Sequence, residues 1–459
     1  MTVRNLTFIF YLICLITILP ISELSGQQVN NQLKCKAEST KADFLGKTVE
    51  VRSLAGDLKS LEIRNKEKFR KNRKKPENLS IKRNVSRAVF PELEHQGDDP
   101  IRQWTAGNGR VIEPKVNIDG IGDFGSPHDP TGDIGLNYFV QAVNVTHVGI
   151  FSKEGELVLE FPMNQLWSSL GAQSFGDPIV IFDDIEERWF ITEFTGPSNL
   201  LIAVSETSDP LGSYYAYSFS TPNFPDYPKY AIWGDYLVVT TNEQGGFRLH
   251  QYFFDKPALI AGEADVTMQR VEITGSTGTE TGFFVSTPVD ADGKILPEES
   301  TPIALRLNDS SWGMSSQDQV ELYKFNIDFD NPANTSFENI SIPTTPFDSY
   351  PCSVFTGGFS CIPQLNGGGL DGIPENIMNV PKYRNFGTHE SIVLTFITDV
   401  TDGNNLSGIR WMELRRNALS DWFLYQEGTF APDDGLHRFM GSIALDNKGN
   451  IGLGYNVSG

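Results

Sequence analysis

Short apolar runs that end in aspartate, turn, and are answered by a second apolar run recur along most of this chain. The clearest copies are Ile179-Val-Ile-Phe-Asp183 before Trp189-Phe-Ile191, Ala231-Ile-Trp-Gly-Asp235 before Leu237-Val-Val239, and Ser442-Ile-Ala-Leu-Asp446 before Ile451-Gly-Leu453. Phe284-Val-Ser-Thr-Pro-Val-Asp290 is a weaker one. Asp183, Asp235 and Asp290 stand 52 and 55 positions apart, which suits one four-stranded propeller blade with generous loops. Between them lie further runs rich in β-branched and aromatic residues, such as Tyr138 to Val143, Leu200 to Val204 and Val320 to Phe325. No long helical period interrupts them. The sequence therefore predicts an all-β chain, a β-propeller of about six to seven four-stranded blades. One blade opens near Ser391-Ile-Val-Leu-Thr395 after an insertion over about 344–382, and the last blade, 441–459, is incomplete with two strands. With 39% hydrophobic residues and 31 phenylalanines, such a fold has enough apolar mass for a core.

The flanks read differently. Arg4 precedes a nearly unbroken apolar run from Leu6 to Ile21 with Pro20 near its end, the pattern of a signal peptide over 1–26. No second apolar stretch is long enough to cross a bilayer as a helix, so the mature chain is expected to be secreted, extracellular or on the cell surface. Residues 29–104 carry a net charge of +7 and residues 105–459 a net charge of −28. The basic charge peaks between Lys66 and Lys75, where self-repulsion favours a solvated segment. We therefore expect a flexible basic leader or linker over 27–104 and the propeller-like domain over 105–459. The net charge of −21 excludes wholesale nucleic-acid binding, which needs a basic surface to neutralise phosphates.

The segment Pro127-His-Asp-Pro-Thr-Gly-Asp-Ile-Gly, continuing to Asn144, resembles the opening motif of a family of secreted bacterial β-propeller-like surface proteins without established activity. The resemblance runs on through Gly176 to Asp183, Asp226-Tyr-Pro-Lys-Tyr230, Tyr383 to Glu390, Gly408 to Arg415 and His437 to Ala444. Many members of that family sit in large modular proteins and extend into a final blade. The resemblance thus implies that this chain, ending at Gly459, is cut short.

After signal removal the cysteines are Cys35, Cys352 and Cys361. The last two flank a loop that Gly357-Gly358 can reverse, and in an oxidising compartment they are expected to form a disulfide. Cys35 is left over. Phosphate loops, zinc helices and nucleophile elbows are missing from the sequence. Asp290-Ala-Asp-Gly293 looks like half a calcium loop, but its twelfth position is Thr301 where an EF-hand needs Glu. Asp446-Asn-Lys-Gly-Asn450 invites the same comparison. A hairpin turn accounts for each equally well, so calcium is the only cofactor the sequence raises.

In a propeller, residues that enter the innermost strands collect around one channel mouth. By this reading His128, Asp129, Asp133, Asp177, Asp226, Lys229, His389, Glu390, His437 and Arg438 share that mouth. Imidazoles among carboxylates there could bind a cation, a sugar or a peptide, or could instead lock neighbouring blades by hydrogen bonds. The leading expectation is a secreted, non-catalytic binding or scaffold module that contacts glycan or protein through the mouth. The alternative is an extracellular hydrolase acting on glycans, with Asp226, Glu390 and His437 as acid and base groups. A third reading is a module that only spaces other domains.

Overall fold

A computed structural model describes residues 33–54, 97–105, 114–122, 128–144, 147–243, 249–274, 283, 285–293, 296, 300–351, 362–365, 368–401 and 405–459. They are overwhelmingly β and form six sheets among the described residues. The first is Thr131–Ile134, Tyr138–Val143, His147–Ser152 and Leu157–Pro162, joined as a meander. The second is built the same way from Gly176–Asp183, Arg188–Thr195, Asn199–Ser205 and Tyr214–Ser220. The third follows with Pro225–Trp233, Tyr236–Glu243, Leu249–Asp255 and Thr267–Ile273. Thr287–Pro288, Ile303–Asn308, Gln319–Asn326 and Ser336–Pro343 make the fourth. Lys382–Asn385, Glu390–Asp399, Ser407–Asn417 and Ser420–Phe430 make most of the fifth, and His437–Leu445 with Ile451–Ser458 the sixth.

The first strands of the first four sheets touch in turn, Asp290–Ala291 then pairs with Lys382–Asn385 of the fifth, and Lys382–Asn385 touches His437–Leu445 of the sixth. Because the second to fourth sheets have a neighbour on both faces, their middle strands are buried almost throughout rather than alternating. Arg188–Thr195, for example, buries every residue between its two ends. Separate wedge-shaped cores fill the gaps. Trp167, Trp189 and Val148 lie between the first and second sheets, Tyr230, Phe190 and Phe254 between the second and third, and Leu322, Trp422 and Tyr383 between the fourth and fifth. The architecture is a propeller-like all-β fold.

The expectation of a flexible leader fails for part of 27–104. Leu33–Lys34, Lys36–Lys41 and Asp43–Lys47 are strands that add to the outer edges of the fourth, third and second sheets in turn, by antiparallel pairing with Ser336–Pro343, Thr267–Ile273 and Tyr214–Ser220. Arg102–Gln103 adds in parallel to the outer strand of the fifth. The physical reason is that an edge strand needs backbone partners and little apolar side-chain burial, so a polar stretch such as KAESTK serves. The Lys66 to Lys75 run, the signal segment 1–26 and the Cys352–Cys361 pair lie outside the described residues. Cys35 is described: its thiol is free, half-buried, and donates to the Thr335 carbonyl at 3.3 Å. No helix among the described residues is long and apolar enough to cross a membrane.

Candidate active site

Carboxylates stand at the entries of the first three inner strands. Asp129 precedes Thr131–Ile134 by two residues, while Asp177 and Asp226 are the second residues of Gly176–Asp183 and Pro225–Trp233. Asp129, Asp177 and Tyr227 hold φ values of 40°, 49° and 55°, in the left-handed region that non-glycine residues seldom occupy. Three such residues in one place mark a backbone held by its surroundings, as is common where side chains must be aimed. The Asn144 side-chain amide donates to Asp129 Oδ2 and to Asp177 Oδ1, each at 3.1 Å, so the two carboxylates stand no farther apart than two hydrogen bonds. Lys229 Nζ lies 4.3 Å from the centre of the Tyr227 ring, and that ring stacks on Phe283 with centroids 3.9 Å apart.

The site carries a divided electrostatic load. Burial, then the negative charges of Asp226 and Asp129, push the Asp177 carboxyl up to about 7, against the opposing pull of Lys229 and the Tyr227 N–H. Burial holds the Lys229 ammonium below its usual range while Asp177 and Asp129 draw it back. Asp177, Asp226 and Lys229 are only half-buried and Asp129 is exposed, so the cluster is open to a ligand.

The ten residues expected at one mouth do not meet there. Asp129, Asp177, Asp226 and Lys229 do, and His128 adjoins them, its carbonyl accepting from the Asn144 N–H at 2.8 Å. Asp133 sits lower, accepting from the Phe182 N–H at 2.9 Å and from the Ile134 N–H at 2.7 Å, which ties the first sheet to the second. His389 and Glu390 lie at the opposite end. Lys382–Asn385 runs antiparallel to Glu390–Asp399 with Asn385 opposite Glu390, so the hairpin before Glu390–Asp399 falls where Lys382–Asn385 finishes, whereas Asp177 and Asp226 stand where their strands begin. There Glu390 takes a bidentate pair from Arg416 at 2.9 and 2.8 Å and the Tyr383 hydroxyl at 2.8 Å, and His389 stacks on Phe386. His437 is engaged with Ser407, whose N–H and hydroxyl lie 3.3 and 3.2 Å from Nδ1, and Arg438 with Asp434 at 3.0 and 2.7 Å. Burial lowers the affinity of both His389 and His437 for a proton. The trio Asp226, Glu390 and His437 is therefore not an acid–base set.

The calcium readings are replaced by other partners. Lys382 Nζ occupies the place beside Asp290 and Asp292, at 2.6 and 3.8 Å. Asp446 accepts from the Lys448 and Asn450 N–H groups and the Asn450 amide, each at 2.8 Å, which is a turn around Gly449. Among the described residues no group of three or more His, Cys, Asp or Glu is arranged to hold a metal ion. Asn144 and Tyr227 are site residues that sequence reasoning missed. Tyr227 follows the flagged Asp226 and is singled out by its left-handed backbone, while Asn144, just past Tyr138–Val143, is singled out only by its bonds to Asp129 and Asp177.

No family model and no curated protein matches the chain. Solved structures resemble it faintly. One is a subtype N11 neuraminidase-like protein of A/flat-faced bat/Peru, 11% identical, with a TM-score of 0.35, over 64% of this chain and 72% of the other. Another is an exo-β-1,3-galactanase from Phanerochaete chrysosporium with bound β-1,3-galactotriose, 10% identical, TM-score 0.32, over 78% of this chain and 70% of that one. A third is a GH43 β-1,3-galactosidase with galactodeoxynojirimycin, 10% identical, TM-score 0.31, over 65% and 93%. The expectation of a non-catalytic binding or scaffold module gives way here. The ten-residue mouth it rested on is divided between two ends of the sheets, Asp129, Asp177, Asp226 and Lys229 at one and His389 with Glu390 at the other.

Proposed function

We propose that this chain is a secreted glycoside hydrolase whose six sheets are propeller blades and whose reaction takes place at Asp129, Asp177 and Asp226. The observation that carries the reading is the carboxylate cluster itself, Asp177 and Asp129 bridged by the Asn144 amide at 3.1 Å each, where burial and the charges of Asp226 and Asp129 push the Asp177 carboxyl up to about 7. Glycosidic cleavage asks for that division of labour, one carboxylic acid to protonate the leaving oxygen and one carboxylate on the other side of the bond. In this reading Asp177 is the general acid. Asp129, bridged to it through Asn144, activates water or attacks the anomeric carbon, and Asp226 supplies the charge that keeps the Asp177 proton in place. Asn144 also separates the two carboxyls, which argues against a dyad that shares one proton as in aspartic proteases.

The test is release of reducing sugar from galactan and arabinan, with the substrates taken from what the similar structures are named for. Asp177→Asn should lower the rate by roughly 100-fold or more while glycan binding persists, since general acid catalysis contributes about that much. An unchanged rate in Asp177→Asn, or no release by the wild-type chain from any neutral glycan, removes the reading.

A further inference from the structure

Just outward from Asp177 the second sheet opens into a cavity of about 500 Å³, within the roughly 300–1,000 Å³ range of ligand sites. Its position follows from the strand register. Gly176 pairs with Phe194 at the end of the sheet where Thr195 turns to Asn199, so the cavity and Asp177 share one end of that sheet. Its wall combines Leu170 from the loop before Asp177, Leu45 from the strand laid on the sheet's edge, and Leu201 with neutral polar groups of Thr195, Asn199 and Ser218. None of the lining side chains is ionisable, which is unusual in a chain of net charge −21. Asn199 is held by donating to Ser218 Oγ at 3.2 Å and Ser220 Oγ at 3.1 Å, an arrangement that aims its carbonyl oxygen elsewhere.

Phe175 joins the cavity to the carboxylate site. It lines the cavity, lies two residues before Asp177, and leaves 46% of its surface exposed. Its ring is braced from behind by Phe194 and Phe224, at 5.8 and 6.1 Å between centroids, and its backbone N–H donates to the buried Glu193 carboxyl at 3.0 Å. An exposed ring fixed on one side and free on the other is a platform for the apolar face of a flat, amphipathic ligand. Hydroxyl groups around the rim of such a ligand would meet amide and hydroxyl partners in the wall.

We infer that this cavity is a subsite for a neutral sugar unit, which stacks on Phe175 while its chain continues to Asp177. The inference rests on the glycan reading for its placement along a substrate, but its binding step stands separately from the chemistry. On this inference the chain favours oligosaccharides over single sugars, because a unit held in the cavity adds its contacts with Phe175 to those made at Asp177.

The experiment is calorimetric titration of the full chain with neutral tri- to hexasaccharides of β-1,3-galactan, α-1,5-arabinan and β-1,4-xylan. It is run in the Asp177→Asn background so that ligand survives, and beside reducing-sugar assays on the Asp177-intact chain. At least one oligosaccharide should bind, Phe175→Ala should weaken it roughly tenfold, and Phe175→Tyr, which keeps the ring, should stay within about twofold. Equal affinity in Phe175→Ala, or no binding by any member of the panel, overturns the inference whatever the Asp177 assays give. Equal weakening in Phe175→Tyr also overturns it, since loss of local structure would then explain both. Ring-dependent binding without turnover keeps the subsite and removes the hydrolytic reading instead.

Discussion

Asp177 and Glu193 stand on adjacent strands, and both hold a proton above the usual carboxylate range. For Asp177 burial acts together with Asp226 and Asp129, so its consequence is catalytic. The acid limb requires the proton, and turnover should fall as pH rises past about 7; Asp226→Asn removes one negative neighbour and should move that fall to lower pH. A pH–rate profile identical in the two proteins would dissociate Asp226 from the acid. Glu193 is fully buried, and burial pushes it up to about 8 although Ser174, the Phe175 N–H and Trp167 donate to it. A carboxyl that binds its proton more tightly folded than unfolded stabilises the fold fully below its unfolded value near 4.5 and loses that contribution as pH climbs to about 8. Thermal melts should therefore decline across that window, and Glu193→Gln should flatten the decline. An equal slope would assign the pH dependence to other groups. The three site aspartates were legible in the sequence because each stands at the entry of a predicted blade. Glu193 was not, because within Trp-Phe-Ile-Thr-Glu-Phe nothing local announces that Trp167 and Ser174 will return to meet it.

The strands between Leu33 and Lys47 belong to no sheet of their own. Each caps the outer edge of a different one, and the chain then enters the first core through Val51, which is fully buried and donates its N–H to the Gly212 carbonyl at 2.9 Å. Uncapped, three outer strands would present rows of unpaired backbone groups, a template for association. Deleting 33–54 should lower the melting temperature and produce concentration-dependent light scattering, whereas a monomer with an unchanged melt would make the strap dispensable. This element was hidden in the sequence for a definite reason. Strand signals rest on alternation and β-branched content, and Lys36–Lys41 has five exposed residues of six, so it reads like a linker. The inner and middle strands were readable for the opposite reason. Burial on both faces forces apolar runs such as Ile179 to Phe182 and Leu200 to Val204, and those survive in the sequence without knowledge of the neighbours.

Across the whole molecule, buried polar ties join what the apolar cores keep apart. Lys256 beside the third sheet pairs with Asp183 of the second at 2.5 Å, and Asp290 accepts from the Ile232 N–H at 2.7 Å while Lys382 of the fifth sheet holds its other oxygen. The repeat spacing of Asp183, Asp235 and Asp290 already implied successive units, but not that Asp290 would pair with Lys382, because 92 positions separate them and Asp290–Ala291 joins Lys382–Asn385 in parallel register only in the folded sheet. Lys382 is the hub. Burial disfavours its charge, yet Asp290, Asp292 and Asp133 outweigh that and hold its proton well above the ordinary lysine range. Replacing it by Met takes the central cation from among three carboxyls and leaves only the pull of Arg384 on Asp292, with two of them already raised by burial, Asp292 to about 6 and Asp133 in the same direction. Loss of one partner from a buried pair costs about 3 kcal/mol or more, and here the cost has a pH signature. At pH 5 the orphaned carboxyls can protonate at little expense. At pH 8 the unfolded chain would hold them ionised, so folding must either bind protons or bring like charges together, and the penalty grows. Lys382→Met should therefore lower the melting temperature more at pH 8 than at pH 5, and Asp290→Asn placed on the same chain should recover part of the pH 8 loss. An equal drop at both pH values would mean that the lysine stem fills space between the first, fourth and fifth sheets and that its charge is incidental to holding them.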